Sequence, residues 1–401
     1  MRLGIDWGRQ HLYVDVAAEN VVKVVRGALA PSIAEPATAV RNAVEEPVDF
    51  PCLRRALTPD DHIAIVIDER LPQLARLLVP ILEHVCAAGV SPEAITLLCS
   101  PPSSGQPWLE GLPDIFQDVR VEVHQPGDRR KLSYLATTKH GRRIYLNRSA
   151  VDADQLVLLT RRAYDPVLGT TGAERALYPG LSDEATQQEL IGQLYRNPAG
   201  AALQAVGRDA AEVAWLLGAP FLVQVIDGSG DDIAHVLAGT VESSEFGRRL
   251  LAARWSVSVD RRADLVVAAL SGVSDRITAE ELARAFLVAA QVVKPGGRIA
   301  LLTEVAPVLG RSFELLRQRD EPAAALQLIS KEHPADFAAS FMWASAACAA
   351  RLYLLSGLPS DVAEELFVTP LEHAAEVQKL VAGNVSCVFL PDANKLKASI
   401  G

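Results

Sequence analysis

Three consecutive segments constrain the fold more than anything else in the chain: "HIAIVIDE" (62–69), "LARLLVPILEHVCAAG" (74–89) and "AITLLCS" (94–100). The first is a continuous apolar run that ends in acids, as strands buried on both faces do. The second places apolar residues at helical spacing and stops at Gly89, and the third is again a short apolar run. Together they predict a βαβ module, and hence an α/β protein with a largely parallel sheet. Ligands of such sheets gather just past the carboxyl ends of the strands, which here means "DERLP" (68–72) and "SPPSSGQ" (100–106).

The same alternation continues on both sides. The first forty residues read as short strands, "LGIDWG" and "HLYVDVA", followed by "VRNAVEEPVDFPCLRRAL", helical in spacing and broken by Pro47 and Pro51. Further strands are "VRVEVHQP", "RRIYLNRSAV" and "ADQLVLLTRR". The last runs into "YDPVLGTTGAERALYPG" (164–180), which has the layout of a ligand loop: two glycines three apart, two threonines, then Pro-Gly. Residues 181–215 read as helical, with a linker at Asn197-Pro198-Ala199-Gly200. A boundary near residue 205 gives two α/β domains, 1–205 and 206–401. Beyond it, "PFLVQVIDGSGDDIAHVLAG" predicts a hairpin turning at Gly228-Ser229-Gly230. "ADLVVAALSG" and "GGRIALLTEV" flank the helix 278–293, where Thr278 and Glu281 have capping-box spacing. The alanine-rich "FAASFMWASAACAA" (337–350) is too short to span a bilayer and reads as a buried helix.

At 401 residues and 49% hydrophobic, the chain has ample core for two domains. A formal charge of -10, with the basic residues scattered, excludes the counterion-release chemistry of nucleic-acid binding. The cysteines Cys52, Cys86, Cys99, Cys348 and Cys387 lie far apart without a C-x-x-C, so neither a disulfide framework nor a thiolate metal site is expected, and the chain is expected to be cytoplasmic. The histidines show no H-E-x-x-H or H-x-H spacing, and only His124, which follows the strand "VRVEV", is kept as a candidate. "GIDWG" lacks the other elements of a kinase phosphate loop, and "VVKPGGRIALL" reads as a structural turn from helix to strand. Charges at strand ends carry more chemistry. Asp68, Glu69 and Arg70 follow one strand and Arg161, Arg162 and Asp165 another, so a parallel sheet puts both groups on one rim. An arginine there is able to grip a carboxylate in bidentate fashion, or to pair with the neighbouring acids.

Taken in order, the segments "AVEEPVDFPCLRRAL", "HIAIVIDERLP", "GRRIYLNRSAVDADQLVLL", "YDPVLGTTGAERALYPG" and "ARAFLVAAQVVKPGGRIALL" resemble the nickel-pincer lactate racemase family over almost the whole chain. The resemblance implies a two-domain α/β fold with its site in the interdomain cleft. It also exposes departures. The family's Asp-x-Thr-Arg-Pro loop is Asp68-Glu69-Arg70-Leu71-Pro72 here, so the substrate-gripping arginine falls on Leu71 unless Arg70 replaces it. The family's catalytic histidine falls near Ser103. Counting back from Pro179-Gly180, the lysine that holds the pincer nucleotide becomes Arg175, and the nickel-binding histidine becomes Asp165. The family's glutamine and lysine of the second domain become Glu281 and Arg284.

An arginine cannot serve as the amine nucleophile, and a carboxylate is a poor ligand for a soft organometallic nickel. The expectation is therefore a divergent member without metal or cofactor, which binds a small anionic molecule. Its ligand residues would be Arg70, Ser103, Gly169, Thr170, Thr171, Gly172, Arg175, Glu281 and Arg284. The alternative is an active 2-hydroxy acid racemase or epimerase that holds the nickel-pincer nucleotide non-covalently, with Asp68, Glu69, Asp165 or His124 as acid and base. A third reading is a scaffold whose cleft is closed by salt bridges.

Overall fold

The computed structural model describes residues 1–25, 32–100, 105–138, 141–196, 201–272, 276–332, 334 and 336–401. The chain opens with a hairpin, β1 (Arg2–Trp7) and β2 (Gln10–Asp15), and a short strand β3 (Val21–Val24). The βαβ module follows as β4 (Ile63–Ile67), the helix Leu74–Cys86 and β5 (Ile95–Cys99), after which come β6 (Arg120–Val123), β7 (Leu132–Thr137), β8 (Arg143–Asn147) and β9 (Gln155–Arg161). A small hairpin, β10 (Ala163–Asp165) and β11 (Gly169–Thr171), precedes two helices, and then β12 (Phe221–Asp227) and β13 (Ile233–Gly239) form the expected second hairpin. The remaining strands are β14 (Ser256–Val259), β15 (Ala263–Ala269), β16 (Val293–Leu302), β17 (Arg351–Leu355), β18 (Val368–Pro370), β19 (Cys387–Leu390) and β20 (Lys397–Ile400).

Two six-stranded sheets organise these elements. The first has the order β13-β12-β9-β4-β5-β6 and is parallel except for β13; the second, β18-β17-β16-β15-β19-β3, is parallel throughout. All five residues of β4 and all seven of β12 are buried, which explains the unbroken apolar runs in the sequence. The helix Leu74–Cys86 buries Leu74, Leu77, Leu78, Ile81, Leu82 and Val85, the three-four spacing that lays one stripe on the sheet. In the second half, the helix Phe337–Ala349 brings Trp343 edge-on to Phe286 and Phe313, with ring centroids 5.0 and 5.5 Å away, and its indole N–H donates to the Leu366 carbonyl at 2.8 Å. The "KPGG" turn lies inside the bulged start of β16, where Gly296 takes φ +69. No helix among the described residues is long and apolar enough to cross a membrane.

The sheets do not part at residue 205, which falls within the helix Ala201–Leu216. Beyond it, β12 and β13 still hydrogen-bond into the first sheet, because the wholly buried β12 needs cover on both faces and finds it beside β9. Well before it, β3 closes the edge of the second sheet against β19. The proposed linker at 197–200 lies outside the described residues.

Candidate functional site

Because β4, β9 and β12 are parallel neighbours, their carboxyl ends share one rim, and that rim carries Asp68, Arg161 and Asp227. Facing it is the first turn of the helix Ala279–Val292 from the second half of the chain. Thr278 caps this helix by accepting the Glu281 N–H at 3.4 Å, as its spacing predicted. The Glu281 side chain does not return the bond; it turns to the arginines instead. Arg161 donates to Glu281 Oε1 at 3.1 Å and to Asp227 Oδ2 at 3.4 Å. Arg284 reaches Glu281 Oε1 at 3.3 Å and Glu280 Oε1 at 2.8 Å, and lies 3.8 Å from Asp165 Oδ2. Asn394, just past β19, donates to Glu281 Oε2 at 2.6 Å.

Arg70 joins from the loop after β4. It is tied to Asp68 through its backbone N–H at 3.0 Å, and its guanidinium is 3.5 Å from Glu280 Oε2. The Glu280 carboxylate thus stands between Arg70 of one half and Arg284 of its own helix. Arg276 fastens the same loop by donating to the Arg70 carbonyl at 3.0 Å and to Asp231 at 2.6 Å.

The electrostatics follow from burial opposed by pairing. Burial works against ionisation of Glu281, but Arg284 and Arg161 outweigh it and hold the carboxyl far below its usual range. Burial likewise disfavours charge on Asp68, and Arg70 and Arg161 overcome it, so this carboxyl is also lowered. Arg161 and Arg284 pay the same desolvation cost, yet each is raised by the carboxylates around it, Glu281 foremost. The centre of the network holds Arg70, Arg161 and Arg284 against Asp68, Asp165, Asp227, Glu280 and Glu281, so every guanidinium already has an acid. The space left beside it is small: about 10 Å³, bounded by Arg161, Asp227, Trp255, Arg284, Asn394 and Lys395, room for about one water. A larger open hollow of about 850 Å³ lies elsewhere, by Asp260, Arg262 and Asp264, but its Lys294 is already bonded to Asp264 at 2.7 Å.

The ligand-like loop 164–180 closes on itself. Gly169 supplies the tight turn between β10 and β11 with φ +72, and the Thr171 hydroxyl donates to the Ala163 carbonyl at 3.2 Å. Thr170 pairs with Tyr164 in the same hairpin. Asp165 Oδ1 accepts the Val167 and Leu168 N–H groups, both at 2.8 Å. Arg175 donates to the Leu168 carbonyl at 2.6 Å; burial lowers its pKa, with Asp165 acting the other way. Gly172 is needed for a different reason than expected. A Cβ there would sit 2.9 Å from Arg162 Cζ, so the glycine makes room for a fully buried guanidinium that donates to Gln224, Glu174 and Ser244.

The structure therefore joins five sequence candidates, Asp68, Arg70, Asp165, Glu281 and Arg284, in one network. It separates others. His124 is 1% exposed and bonded to the Ser182 carbonyl at 3.0 Å, with Asn147 at 3.5 Å; burial lowers its pKa. Glu69 accepts the Trp108 indole N–H at 2.8 Å. Ser103 lies outside the described residues. Among the described residues, no histidine partners any member of the network. The reading at first missed Asp227, Glu280, Asn394 and Lys395 as site residues. Asp227 and Asn394 both follow apolar strands, and the strand-end rule that flagged Asp68 applies to them equally.

Residues 7–194 match the family model described as lactate racemase N-terminal domain. The fold is similar to that of the lactate racemase apoprotein from Thermoanaerobacterium thermosaccharolyticum, with a TM-score of 0.83 and 16% identity over 99% of this chain and 100% of that one. It is also similar to a protein from Thermotoga maritima solved by a structural genomics consortium, with a TM-score of 0.67 and 11% identity over 93% of this chain and 100% of that one. At these identities the likeness is one of fold. No curated relative matches the sequence.

Proposed function

We propose that this chain, whose residues 7–194 match the lactate racemase N-terminal domain model, is a divergent lactate racemase-like protein that has lost covalent cofactor attachment and histidine acid–base chemistry and binds a small anion in the cleft. The observation that carries the reading is Glu280, whose carboxylate bridges Arg70 and Arg284 at 3.5 and 2.8 Å. A resident carboxylate fills the place between two guanidinium groups where a ligand carboxylate would be gripped. Glu280 is about one-third exposed and Arg70 half exposed, so both are free to swing aside when the halves separate. An incoming anion would take over the two guanidinium groups and leave Glu280 to water.

The side chains do not fit a covalently held nickel-pincer nucleotide. Arg175 is committed to the Leu168 carbonyl and offers no neutral amine, while Asp165 spends Oδ1 on two backbone N–H groups and turns Oδ2 toward Arg284. Lys395, in the wall of the small cavity, is bonded to the Gly228 and Gly230 carbonyls at 2.8 and 2.6 Å.

Thermal-shift titration with lactate, other 2-hydroxy carboxylates and inorganic phosphate tests the reading. A carboxylate should raise the melting temperature of the wild type, raise it further at equal concentration in Glu280→Gln, and lose the effect in Arg70→Ala. No shift with any anion in either wild type or Glu280→Gln would refute anion binding. It would favour the scaffold reading, which the ~10 Å³ of free space supports. Stoichiometric nickel or a mass adduct on protein co-produced with the cofactor pathway would favour the racemase.

A further inference from the structure

A second constellation lies at the opposite end of the βαβ module. Glu45 ends the helix Pro36–Glu45, Cys52 sits in the following loop, and His84 belongs to the last turn of Leu74–Cys86. We propose that Glu45, Cys52 and His84 form a zinc site that staples these two helices together.

Two of the donor–donor distances are close to those of a tetrahedral centre. Bonds of about 2.3 Å to sulfur and about 2.0–2.2 Å to nitrogen and oxygen place such donors roughly 3.3–3.6 Å apart. Cys52 Sγ is 3.6 Å from His84 Nε2 and 3.2 Å from Glu45 Oε2, and one ligand atom from each residue lies within 4.8 Å of the others. The donors mix a thiol, an imidazole and a carboxylate, a set that suits zinc better than a hard cation, and three protein ligands leave one position for water.

A single residue, Arg54, touches all three donors. The Arg54 backbone N–H donates to His84 Nε2 at 3.0 Å, its Nε to Cys52 Sγ at 3.3 Å and its Nη2 to Glu45 Oε2 at 3.0 Å. A guanidinium thus stands as the cation where zinc would stand, and its side chain, 45% exposed, can leave for solvent. On binding, zinc replaces the Cys52 thiol proton, which passes to solvent, and takes the Nε2 lone pair. The Arg54 N–H, two residues beyond Cys52, then turns to the new thiolate.

Cobalt(II) titration of tag-free protein reads this directly, because thiolate ligation gives a near-ultraviolet charge-transfer band and tetrahedral geometry gives intense visible bands. One equivalent should develop both, zinc should bleach them, and Cys52→Ser and His84→Gln should weaken binding at least tenfold. Arg54→Gln, a surface change that removes the competing cation, should tighten it. Absence of the charge-transfer band, unchanged binding in Cys52→Ser or His84→Gln, or weaker binding in Arg54→Gln would each overturn the site. Because the measurement does not involve the cleft, its outcome is independent of the anion-binding reading.

Discussion

Replacing Arg161 with methionine tests whether the cleft is clamped by its ion pairs. The guanidinium is 9% exposed and its partners Asp227 and Glu281 are 7% and 6% exposed, so the substitution leaves acids buried without their cation. Removing one member of a buried pair costs about 3–5 kcal/mol. Glu281 keeps Arg284 at 3.3 Å and Asn394 at 2.6 Å, whereas Asp227 Oδ1 has no partner and Oδ2 had only Arg161. The loss therefore falls on Asp227, and the lower figure, about 3 kcal/mol, is the one to expect. For a chain of 401 residues it corresponds to a fall in melting temperature of roughly 3–4 °C.

Urea denaturation should show a smaller midpoint with an unchanged slope. Adding Asp227→Asn should recover part of the loss, which a double-mutant cycle would read as coupling. The pH dependence has a definite sign. Glu281 is lowered in the folded state from an ordinary value of 4.5, so its contribution is complete above about pH 4.5 and is lost as the pH falls toward the folded value. Arg161 is one of the two arginines that lower Glu281, so its share of that lowering, and with it part of the Arg161→Met deficit, should fade as the pH falls below 4.5 toward the folded value. A deficit under ~1 kcal/mol at pH 7 would refute the clamp.

Other consequences are simpler to check. Gly172→Ala, at an extended φ of 169 and therefore without backbone strain, forces a methyl against Arg162; it should cost ~1–3 kcal/mol in the same denaturation assay. Burial, followed by the nearby Glu69 carboxylate, pushes the Cys99 thiol up to about 12, so iodoacetamide should spare it in the native protein and label exposed Cys348 first, as peptide mass mapping would show. Arg175→Lys restores an amine but no histidine, so it should yield neither a cofactor adduct by intact mass nor lactate racemisation by chiral chromatography.

The elements that a sequence shows best are those with an unbroken local pattern. β4, its helix and β5 were legible because burial on both faces leaves no polar interruption, and the Thr278 cap because its bond is three residues long. The rim was legible in part for the same reason: Asp68 and Arg161 follow apolar runs, and parallel pairing puts them together. Glu280 was hidden because its partners, Arg70 and Arg284, come from both halves of the chain, and only tertiary contact shows which acid takes the bridging place. The loop 164–180 reads two ways because glycines serve a ligand and a neighbouring side chain equally well, and Gly172 makes room for Arg162. The place of β12 could not be foreseen from a boundary near 205, since an apolar strand does not announce which sheet it completes.

The position of β3 has a consequence for how the chain is made. Val21 pairs with Cys387, so this edge strand waits for a partner made ~366 residues later. At ~5–20 residues per second, it leaves the ribosome roughly 20–70 s before β19 exists. The first sheet has every strand by residue 239 and can form in the meantime. The second sheet cannot close until β19 has been made, and until then Leu3, Ile5 and Trp7 of the β1–β2 hairpin wait uncovered for the sheet they will pack on.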